Sequence, residues 1–277
     1  MRVRSPSRLL FTEAIAVPDS TLDLVRVALL VAGEDDPDTA ASEAYRQFDR
    51  FKADLPDDFA GREPRVQLEI LVAYLHGAQG FHGNHDNYYD PRNSLFTQVV
   101  ARRTGIPLTL ALLYMEAARR CGVTLLPIGL PGHLMIRHSI DQDLYLDPFS
   151  GDLLDTAGCL QRVFGLSAEM HVPTELLEPL QPRPFLLRLL TNLKGAYLRS
   201  DPPQLDRALA AAERILLLYP DTLSELRDCG LLRLQLGQRT AALTDLDRYC
   251  ARAQHADDFA TVLQQTQSLY LELSLQN

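Results

Sequence analysis

The chain has 277 residues, of which 46% are hydrophobic, and a formal net charge of −9. A chain of this length and composition can bury a core in one or two domains. The negative charge and the lack of a basic stripe exclude a general nucleic-acid-binding protein, and no apolar run approaches the roughly eighteen residues of a membrane span. The basic N-terminus lacks the apolar segment of a signal peptide, and four scattered cysteines without metal-ligand spacing predict reduced thiols in a cytoplasmic protein.

The first part of the chain is predicted to be helical. Dense apolar positions predict a buried helix over residues 21–36, capped by Ser20 or Thr21. A second helix is predicted over residues 38–56, with aromatic side chains along one side. A third is predicted over residues 62–81, where closely spaced glycines end it.

The polar segment FHGNHDNYYDPRNS, residues 81–94, is predicted to be an irregular loop beside a cleft. Its side chains include His82, His85, Asp86 and Asp90, which raise the alternative of a metal site. Their spacing matches no established set of metal ligands, and a hydrogen-bonded loop accounts for them without a metal. We therefore predict neither a metal nor a cofactor.

The end of this loop carries further candidates for binding. Arg92 is predicted to form an internal salt bridge, with Asp86 as one partner, or to bind an anion of a ligand. Asn93 and Ser94 are predicted to cap the following helix, LFTQVVARRT. The predicted cleft for a ligand or peptide consists of Arg92, Asn93, Ser94, Thr109 and His133.

The segment from residue 105 to residue 147 has the layout of a cysteine-hydrolase active site without its nucleophile. A helix is predicted to begin after Gly105, where the helix dipole would stabilise a thiolate. His133 is predicted to lie in a strand and Asp147 at the end of the next strand, so we expect a hydrogen bond between the two, as between a base and its orienting acid. Pro107 occupies the position of the cysteine, and proline also suits the first turn of a helix.

The pattern changes to short apolar runs separated by turn signals after this helix. It predicts two or three antiparallel strands, over residues 123–130, 133–138 and 142–149. Helices combined with a small antiparallel sheet predict an α+β fold class. A short helix capped by Asp155 is predicted to follow.

The last third of the chain is predicted to be all-α. Four prolines within residues 173–184 predict a linker. Residues 185–277 resemble tetratricopeptide repeats, with other amphipathic helical hairpins as the alternative. In these repeats small residues are expected where paired helices approach closely. The predicted small positions are Ala208, Gly230, Gly237 and Ala242, and the predicted large ones are Leu246 and Tyr249.

These motifs resemble the transglutaminase-like superfamily. Ala111, Arg119 and Gly122 follow Pro107 at the spacings at which the superfamily's pattern places an alanine, an arginine and a glycine after its cysteine. The later histidine and aspartate of that pattern correspond to His133 and Asp147. The bacterial SirB family is more similar still, because its elements are present in order as FHGN, YDPRNS, GIPLTL and PGH. The GIPxTL form, without the cysteine, is normal for that family.

The resemblance implies a domain order. A transglutaminase-like, cysteine-protease-like core is expected over residues 81–172, behind an N-terminal helical region at residues 1–80 and before the helical tail. The SirB family also implies a bacterial cytoplasmic protein with a suggested role in regulating gene expression and with no established reaction.

Two hypotheses about function follow. The favoured one is a non-catalytic transglutaminase-like protein that acts as a protein-binding or regulatory module for an unknown protein or peptide partner, without nucleic acid or membrane. The alternative is an amide-bond hydrolase or acyltransferase that uses His133 and Asp147 with an unconventional nucleophile or an activated water.

Overall fold

The computed structural model describes residues 6–35, 41–165 and 174–275 of the chain. These residues have an α+β fold, which confirms the predicted class. They divide into two compact units, Met1–Leu189 and Leu190–Asn277. The strands lie in the first unit, and the described part of the second unit is helical. No helix in the described ranges is long and apolar enough to cross a membrane.

The first unit begins with helices, as predicted. Their bounds are Pro6–Ala14 for α1, Leu24–Asp35 for α2, Ala41–Asp54 for α3 and Pro64–Leu71 for α4. The predicted cap of α2 by Ser20 or Thr21 is wrong. The carboxylate of Asp23 accepts the N–H of Arg26 at 3.0 Å and so caps the helix.

Helix α4 continues into a π-helical segment, Val72–Ala78. The change of winding is visible in the bond from the N–H of Gln79 to the carbonyl of Tyr74, at 2.8 Å, which spans five residues. The ring of His76 in this segment packs against Gly151, where a Cβ would lie 3.2 Å from it. Such π-helical turns are rare and often lie beside functional sites.

Two small sheets follow. A parallel pair, which the sequence did not predict, joins β1 (His82–Gly83) to β2 (Thr104–Gly105). The other sheet is antiparallel, as predicted, in the order β3-β4-β5-β6. Its strands are Leu125–Ile128, Met135–His138, Tyr145–Leu146 and Leu153–Leu154. The fourth of these strands was not predicted.

Helix α6 (Pro107–Arg120) lies at the centre of the first unit. The helices and strands that it contacts are α2, α3, α4, α5 (Phe96–Arg102), β1, β2, β3 and β4. Nearly all of its side chains from Pro107 to Ala118 are buried. A helix that is apolar around its whole circumference is a core helix and not a surface one. The first turn of α6, where Pro107 lies, is thus fixed by packing.

The first unit ends with α7 (Thr156–Phe164) and the segment after it. Asp155 caps α7, as predicted, by accepting the N–H of Gly158 at 2.7 Å. Residue 173, where the predicted linker begins, lies outside the described residues. Further on, the N–H of Leu180 donates to the carbonyl of Pro127 at 2.7 Å, so this part of the segment is bonded to the antiparallel sheet.

The second unit contains the predicted helical hairpins. Its helices are α8 (Pro182–Arg199), which starts in the first unit, then α9 (Leu205–Leu218), α10 (Leu223–Gln235), α11 (Arg239–Arg252) and α12 (Phe259–Leu275). Small residues lie where helices approach closely, with one correction: Gly237 lies after the end of α10 at a φ of +73°, and a Cβ there would meet open space. A Cβ on Gly230 of α10 would lie 2.5 Å from the side chain of Leu246 in α11, and Ala208 and Ala242 are fully buried.

Candidate functional site

His133 and Asp147 lie in contact in the first unit. Nε2 of His133 is 3.1 Å from Oδ1 of Asp147. The ring N–H does not point along this line closely enough for a regular hydrogen bond, and Nε2 has no better partner among the described residues. The two side chains are therefore in close polar contact at Nε2, without a well-aligned hydrogen bond.

The backbone position of His133 differs from the prediction. The residue lies in a turn two positions before β4, and not in a strand. Gly132 adopts a φ of +69° there, a conformation that glycine reaches without the steric cost of a side chain. The guanidinium of Arg188 donates to the carbonyl of His133 at 2.7 Å and to that of Leu130 at 2.9 Å. The turn is therefore held from both sides.

Asp147 directly follows β5 and has a crowded hydrogen-bond environment. Its Oδ1 accepts the N–H of Phe149 at 2.9 Å, and its Oδ2 lies 3.1 Å from the guanidinium of Arg162. Burial by itself would raise the pKa of this carboxyl, but His133, the Phe149 N–H and Arg162 together hold that pKa below its usual value. Asp147 is accordingly a buried carboxylate that is fully ionised near neutral pH.

Backbone bonds join this acid to the start of the central helix. The N–H of Gly83 donates to the carbonyl of Phe149 at 3.0 Å, and the N–H of Asn84 donates to the carbonyl of Gly105 at 3.0 Å. Gly83 is required in this position, because a Cβ would lie 2.4 Å from the ring of Phe149. The FHGN segment thus connects the turn of Asp147 with the residue two positions before Pro107.

Pro107 is the first residue of α6 and is buried. The hydroxyl of Thr109 accepts the N–H of Ile106 at 3.2 Å and donates to the carbonyl of Asn93 at 2.8 Å. Proline needs no such partner, since it has no N–H, and its fixed φ suits a first helical turn. Pro107 has no nucleophilic side-chain group, and the hydroxyl of Thr109 already donates its proton to a carbonyl, so neither residue suits the role of nucleophile.

The two cysteines of the first unit are not activated thiols. Cys121 follows the last residue of α6, at the far end from Pro107, and burial raises the pKa of its thiol. Cys159 is fully buried, and burial followed by the charge of Asp147 raises its pKa to about 11. Reactive cysteines have a lowered pKa and some exposure, so neither thiol suits nucleophilic catalysis.

Arg92 and Asn93 hold the loop between β1 and α5. Arg92 forms the internal salt bridge, with Asp90 at 2.7 Å and not with Asp86. Asn93 is fully buried and donates to the carbonyls of Asn87 and Tyr88 at 2.8 and 3.2 Å.

The predicted cap of α5 is therefore wrong, because the side chain of Asn93 is committed to the loop. Leu95 is the cap residue of α5, and no side chain bonds there. Ser94 is buried at 3% exposure. Of the predicted cleft residues, only Arg92 and His133 are substantially accessible to solvent.

The histidines of the same loop have other contacts. Nδ1 of His82 lies 2.8 Å from the carbonyl of Gly80, and the ring of His85 packs edge-on against Phe149 with 4.6 Å between centroids. In the described part of the chain no three His, Cys, Asp or Glu side chains are grouped to hold a metal ion.

The sequence reasoning missed an aromatic surface beside the pair. Tyr88 is 36% exposed and Tyr89 is 56% exposed. Their ring centroids are 5.3 Å apart, and Tyr88 in turn contacts Phe149 at 6.1 Å. The signal in the sequence was the pair of adjacent tyrosines inside an otherwise polar loop.

Comparison with known families gives two matches. The model of the Transglutaminase-like superfamily matches residues 39–191, and a Tetratricopeptide repeat model matches residues 193–267. Both agree with the order of domains predicted from the sequence. Tetratricopeptide repeats indicate protein–protein interaction in general.

Individual proteins match as well. The chain is 36% identical over 252 residues to a "UPF0162 protein" of Xylella fastidiosa strain Temecula1, which covers 87% of each chain. It is 28% identical over 186 residues to "Protein SirB1" of Salmonella typhimurium, covering 66% of this chain and 68% of that protein. It is 30% identical over 189 residues to human "F-box only protein 21", covering 63% of this chain and 29% of that protein. No solved structure matches the chain closely enough to count as a relative.

Proposed function

Because this chain belongs to the transglutaminase-like superfamily, with tetratricopeptide repeats behind that domain, we propose that it is a non-catalytic member that binds a protein or peptide partner in a regulatory role. The observation that carries this proposal is Pro107. It occupies the first position of α6, where the superfamily's pattern has its cysteine. The likeness to SirB1 supports the proposal, and the free thiols of all four cysteines fit a cytoplasmic location.

The geometry around His133 supports a vestigial triad of Pro107, His133 and Asp147. The imidazole and carboxylate keep the contact of a base and its orienting acid, at 3.1 Å. In the first unit, the thiols have raised pKa values and the hydroxyl of Thr109 is bonded to a carbonyl. An oriented imidazole without a nucleophile can still exchange a hydrogen bond with a bound peptide.

The retained His133–Asp147 contact also favours a second candidate function. In this alternative the chain is an amide-bond hydrolase or acyltransferase, in which His133 would activate a water or a nucleophile of the substrate. Covalent catalysis by Ser94 is disfavoured, since this residue is buried at 3% exposure.

Turnover measurements decide between the two functions. Wild type and His133→Ala would be compared on panels of peptide amides, esters and acyl-transfer substrates, with circular dichroism as the check of folding. We expect wild type to show no turnover above that of His133→Ala, because Cys121, Cys159 and the buried or bonded hydroxyls of Ser94 and Thr109 do not suit a nucleophile. Turnover by wild type that His133→Ala abolishes would refute the non-catalytic function and establish the enzyme.

A further inference from the structure

A half-buried arginine, Arg188 of α8, lies beside His133 within the first unit. Its Nη2 donates to the carbonyls of Leu130 and His133 at 2.9 and 2.7 Å, which uses both N–H groups of that nitrogen. Nη1 and Nε donate to none of the residues that the structure describes. A guanidinium has five N–H groups, so three of those on Arg188 are not used by the described residues.

Another arginine of the same helix shows what Arg188 lacks. Nη2 of Arg183 likewise donates to two backbone carbonyls, at 2.6 and 3.0 Å, and its Nη1 contacts the carboxylate of Asp19 at 2.5 Å. Arg188 forms no ion pair with any carboxylate in residues 6–35, 41–165 and 174–275. Burial lowers the pKa of its guanidinium, and charges that are withdrawn from water are normally paired. A bound anion would therefore stabilise Arg188 as Asp19 stabilises Arg183.

Two further hydrogen-bonding groups lie close to Arg188. Burial and, after it, Tyr89 raise the pKa of Tyr88, whereas the positive charge of Arg188 lowers it, so Arg188 and Tyr88 are neighbours. Tyr88 is 36% exposed, and its hydroxyl donates to no described group. Nε2 of His133 is buried against Asp147, and the Nδ1 of that ring has no described partner either. An acceptor bound to Arg188 can thus also accept the hydroxyl proton of Tyr88.

The other charged groups around this place are paired with one another. Arg162 lies 3.1 Å from Asp147, and Arg92 lies 2.7 Å from Asp90. These pairs add no net charge to the site. Arg188 is then the single positive charge that a ligand at this place would meet.

Asp86 is the carboxylate of the same loop that remains to be counted. It is exposed and forms no ion pair with a described residue. Solvent and salt screen an exposed charge more strongly than a half-buried one, so Asp86 weakens the attraction of Arg188 for an anion without cancelling it. Its repulsion is greater for an anion with two negative charges, and a singly charged carboxylate therefore suits the site better than a phosphate.

A peptide carries such a carboxylate at its C-terminus or on an acidic side chain. We infer that Arg188, together with Tyr88 and His133, binds a carboxylate of the partner peptide, an inference that rests on the proposed function as a binding module. The guanidinium would supply the charge, and the hydroxyl of Tyr88 would donate a hydrogen bond to the same carboxylate.

The test uses the full chain and four probes. They are acetylated pentaalanine with a free C-terminal acid, the same peptide with a C-terminal amide, an acetylated and amidated alanine peptide with one internal glutamate, and inorganic phosphate. Affinities are measured by saturation-transfer NMR of each peptide and by phosphorus NMR of phosphate. In wild type with isotope-labelled arginine, the Nε–H signal of Arg188 reports the place of binding.

Three variants accompany wild type, with circular dichroism as the check of folding. Arg188→Gln removes the cation and assigns its signal, and Tyr88→Phe removes only the hydroxyl. Arg183→Gln is the matched control, because it removes an arginine of the same helix that also donates to two carbonyls but already has a carboxylate partner.

We expect at least one of the two acid peptides to bind wild type and to shift the signal of Arg188 but not that of Arg183. The one that binds more tightly identifies the source of the carboxylate. The amide and phosphate should bind at least about tenfold more weakly. Arg188→Gln and Tyr88→Phe should each weaken binding of the acid peptide about tenfold, the effect of one hydrogen bond to a charged group, and Arg183→Gln should leave it unchanged.

The inference is wrong if the amide binds as tightly as the acids, if phosphate binds more tightly than both, or if either Arg188→Gln or Tyr88→Phe binds like wild type. Should Arg188→Gln fail to fold, an Arg188 signal that does not move when wild type is saturated with acid peptide contradicts the inference equally. Such a failure leaves the proposed function to its turnover test. Turnover that depends on His133 would refute that function whatever the acid peptides do.

Discussion

Pro107 occupies a helix N-terminus, where the helix dipole would favour the ionised form of a thiol. In the proposed vestigial triad the imidazole of His133 would favour that form as well. We therefore expect Pro107→Cys to gain a thiol that iodoacetamide alkylates at pH 7 faster than the native thiols. The additional change His133→Ala should slow this alkylation about tenfold, the effect of roughly one unit in thiol pKa. Mass spectrometry of tryptic peptides measures the rate at each cysteine.

The native cysteines are the internal control for this alkylation. Burial raises the pKa of both Cys121 and Cys159, so they should react slowly and identically in wild type and in the variants. Equal rates at residue 107 with and without the imidazole would mean that Pro107 does not face His133. The vestigial triad would then be rejected.

Single residues were predictable where local chemistry determines them. A hydrogen bond between His133 and Asp147 was expected from the order of a cysteine-hydrolase site, and the two side chains are in contact at 3.1 Å without a regular hydrogen bond. Asp155 was recognised as a cap from its place before a helix. Asn93 was predicted to be a helix cap by the same local rule. Its side chain instead donates hydrogen bonds to the carbonyls of Asn87 and Tyr88 inside a loop. Such a role depends on how a loop folds back on itself, which local sequence rules do not specify.

Helices and strands, like single residues, were predictable where the local sequence determines them and not where tertiary contacts do. Helix α6 has a long apolar pattern and was predicted to begin after Gly105, close to its observed start at Pro107. Strand β6 and the pair β1 and β2 have two residues each, too few for a pattern of alternation, and they exist because a neighbouring strand provides hydrogen-bond partners. The π-helical segment Val72–Ala78 was predicted as ordinary helix, since its apolar spacing does not reveal the change of winding.

Packing between α10 and α11 gives a prediction at the scale of elements. A Cβ at residue 230 would lie 2.5 Å from the side chain of Leu246 and 3.3 Å from its backbone nitrogen. We expect Gly230→Ala to lower the free energy of unfolding by about 1–3 kcal/mol, because the helices must move apart. Urea unfolding followed by circular dichroism measures the change.

Gly195→Ala in α8 is the matched control. Its Cβ would lie 2.7 Å from Nη1 of Arg199, the mobile end of a long side chain that can move aside. The substitution should be neutral or stabilise the helix by up to about 1 kcal/mol, the usual difference between alanine and glycine in a helix. If both variants were equally stable, close packing at Gly230 would not explain the glycine there.

The molecule as a whole carries a net charge of −9 at pH 7 and has a sequence pI of about 5.2. Electrostatic repulsion that keeps chains apart therefore disappears as the pH falls towards 5.2.

A buried histidine loses its stabilising role in the same range. His138 is 1% exposed; its Nε2 lies 2.8 Å from the side-chain oxygen of Gln67, and its Nδ1 accepts the N–H of Ile140 at 3.2 Å.

These bonds require the neutral form of His138. Gln67 donates to the carbonyls of Phe59 and Arg62 at 3.1 and 2.9 Å, so its oxygen faces the ring and Nε2 must carry the proton. A second proton on Nδ1 would face the N–H of Ile140. Burial lowers the pKa of His138 below the usual value for a histidine, and the charge of Asp141 opposes this only in part.

The sign of the pH dependence follows from this lowered pKa. Below about pH 6.5 the unfolded chain binds a proton that the folded chain rejects, so the free energy of unfolding falls as the pH falls. One such group contributes a slope of at most about 1.4 kcal/mol per pH unit. We expect the free energy of unfolding to be constant above pH 7.5 and to decrease from pH 6.5 downward. We expect aggregation to begin as the pH nears 5.2. Urea unfolding and light scattering measure the two effects.

Substitution of single histidines separates protonation at His138, which lowers stability, from the fall in net charge, which causes aggregation. His138→Gln can keep a donor towards Gln67 and an acceptor towards Ile140 but does not titrate, so the loss of stability between pH 6.5 and 5.5 should become shallower. His255→Gln removes an imidazole at an exposed position instead, and the slope should stay as in wild type. Aggregation near pH 5.2 should persist in both variants, because it depends on the charge of the whole chain. A slope that is equal in all three proteins would mean that His138 is not the group responsible.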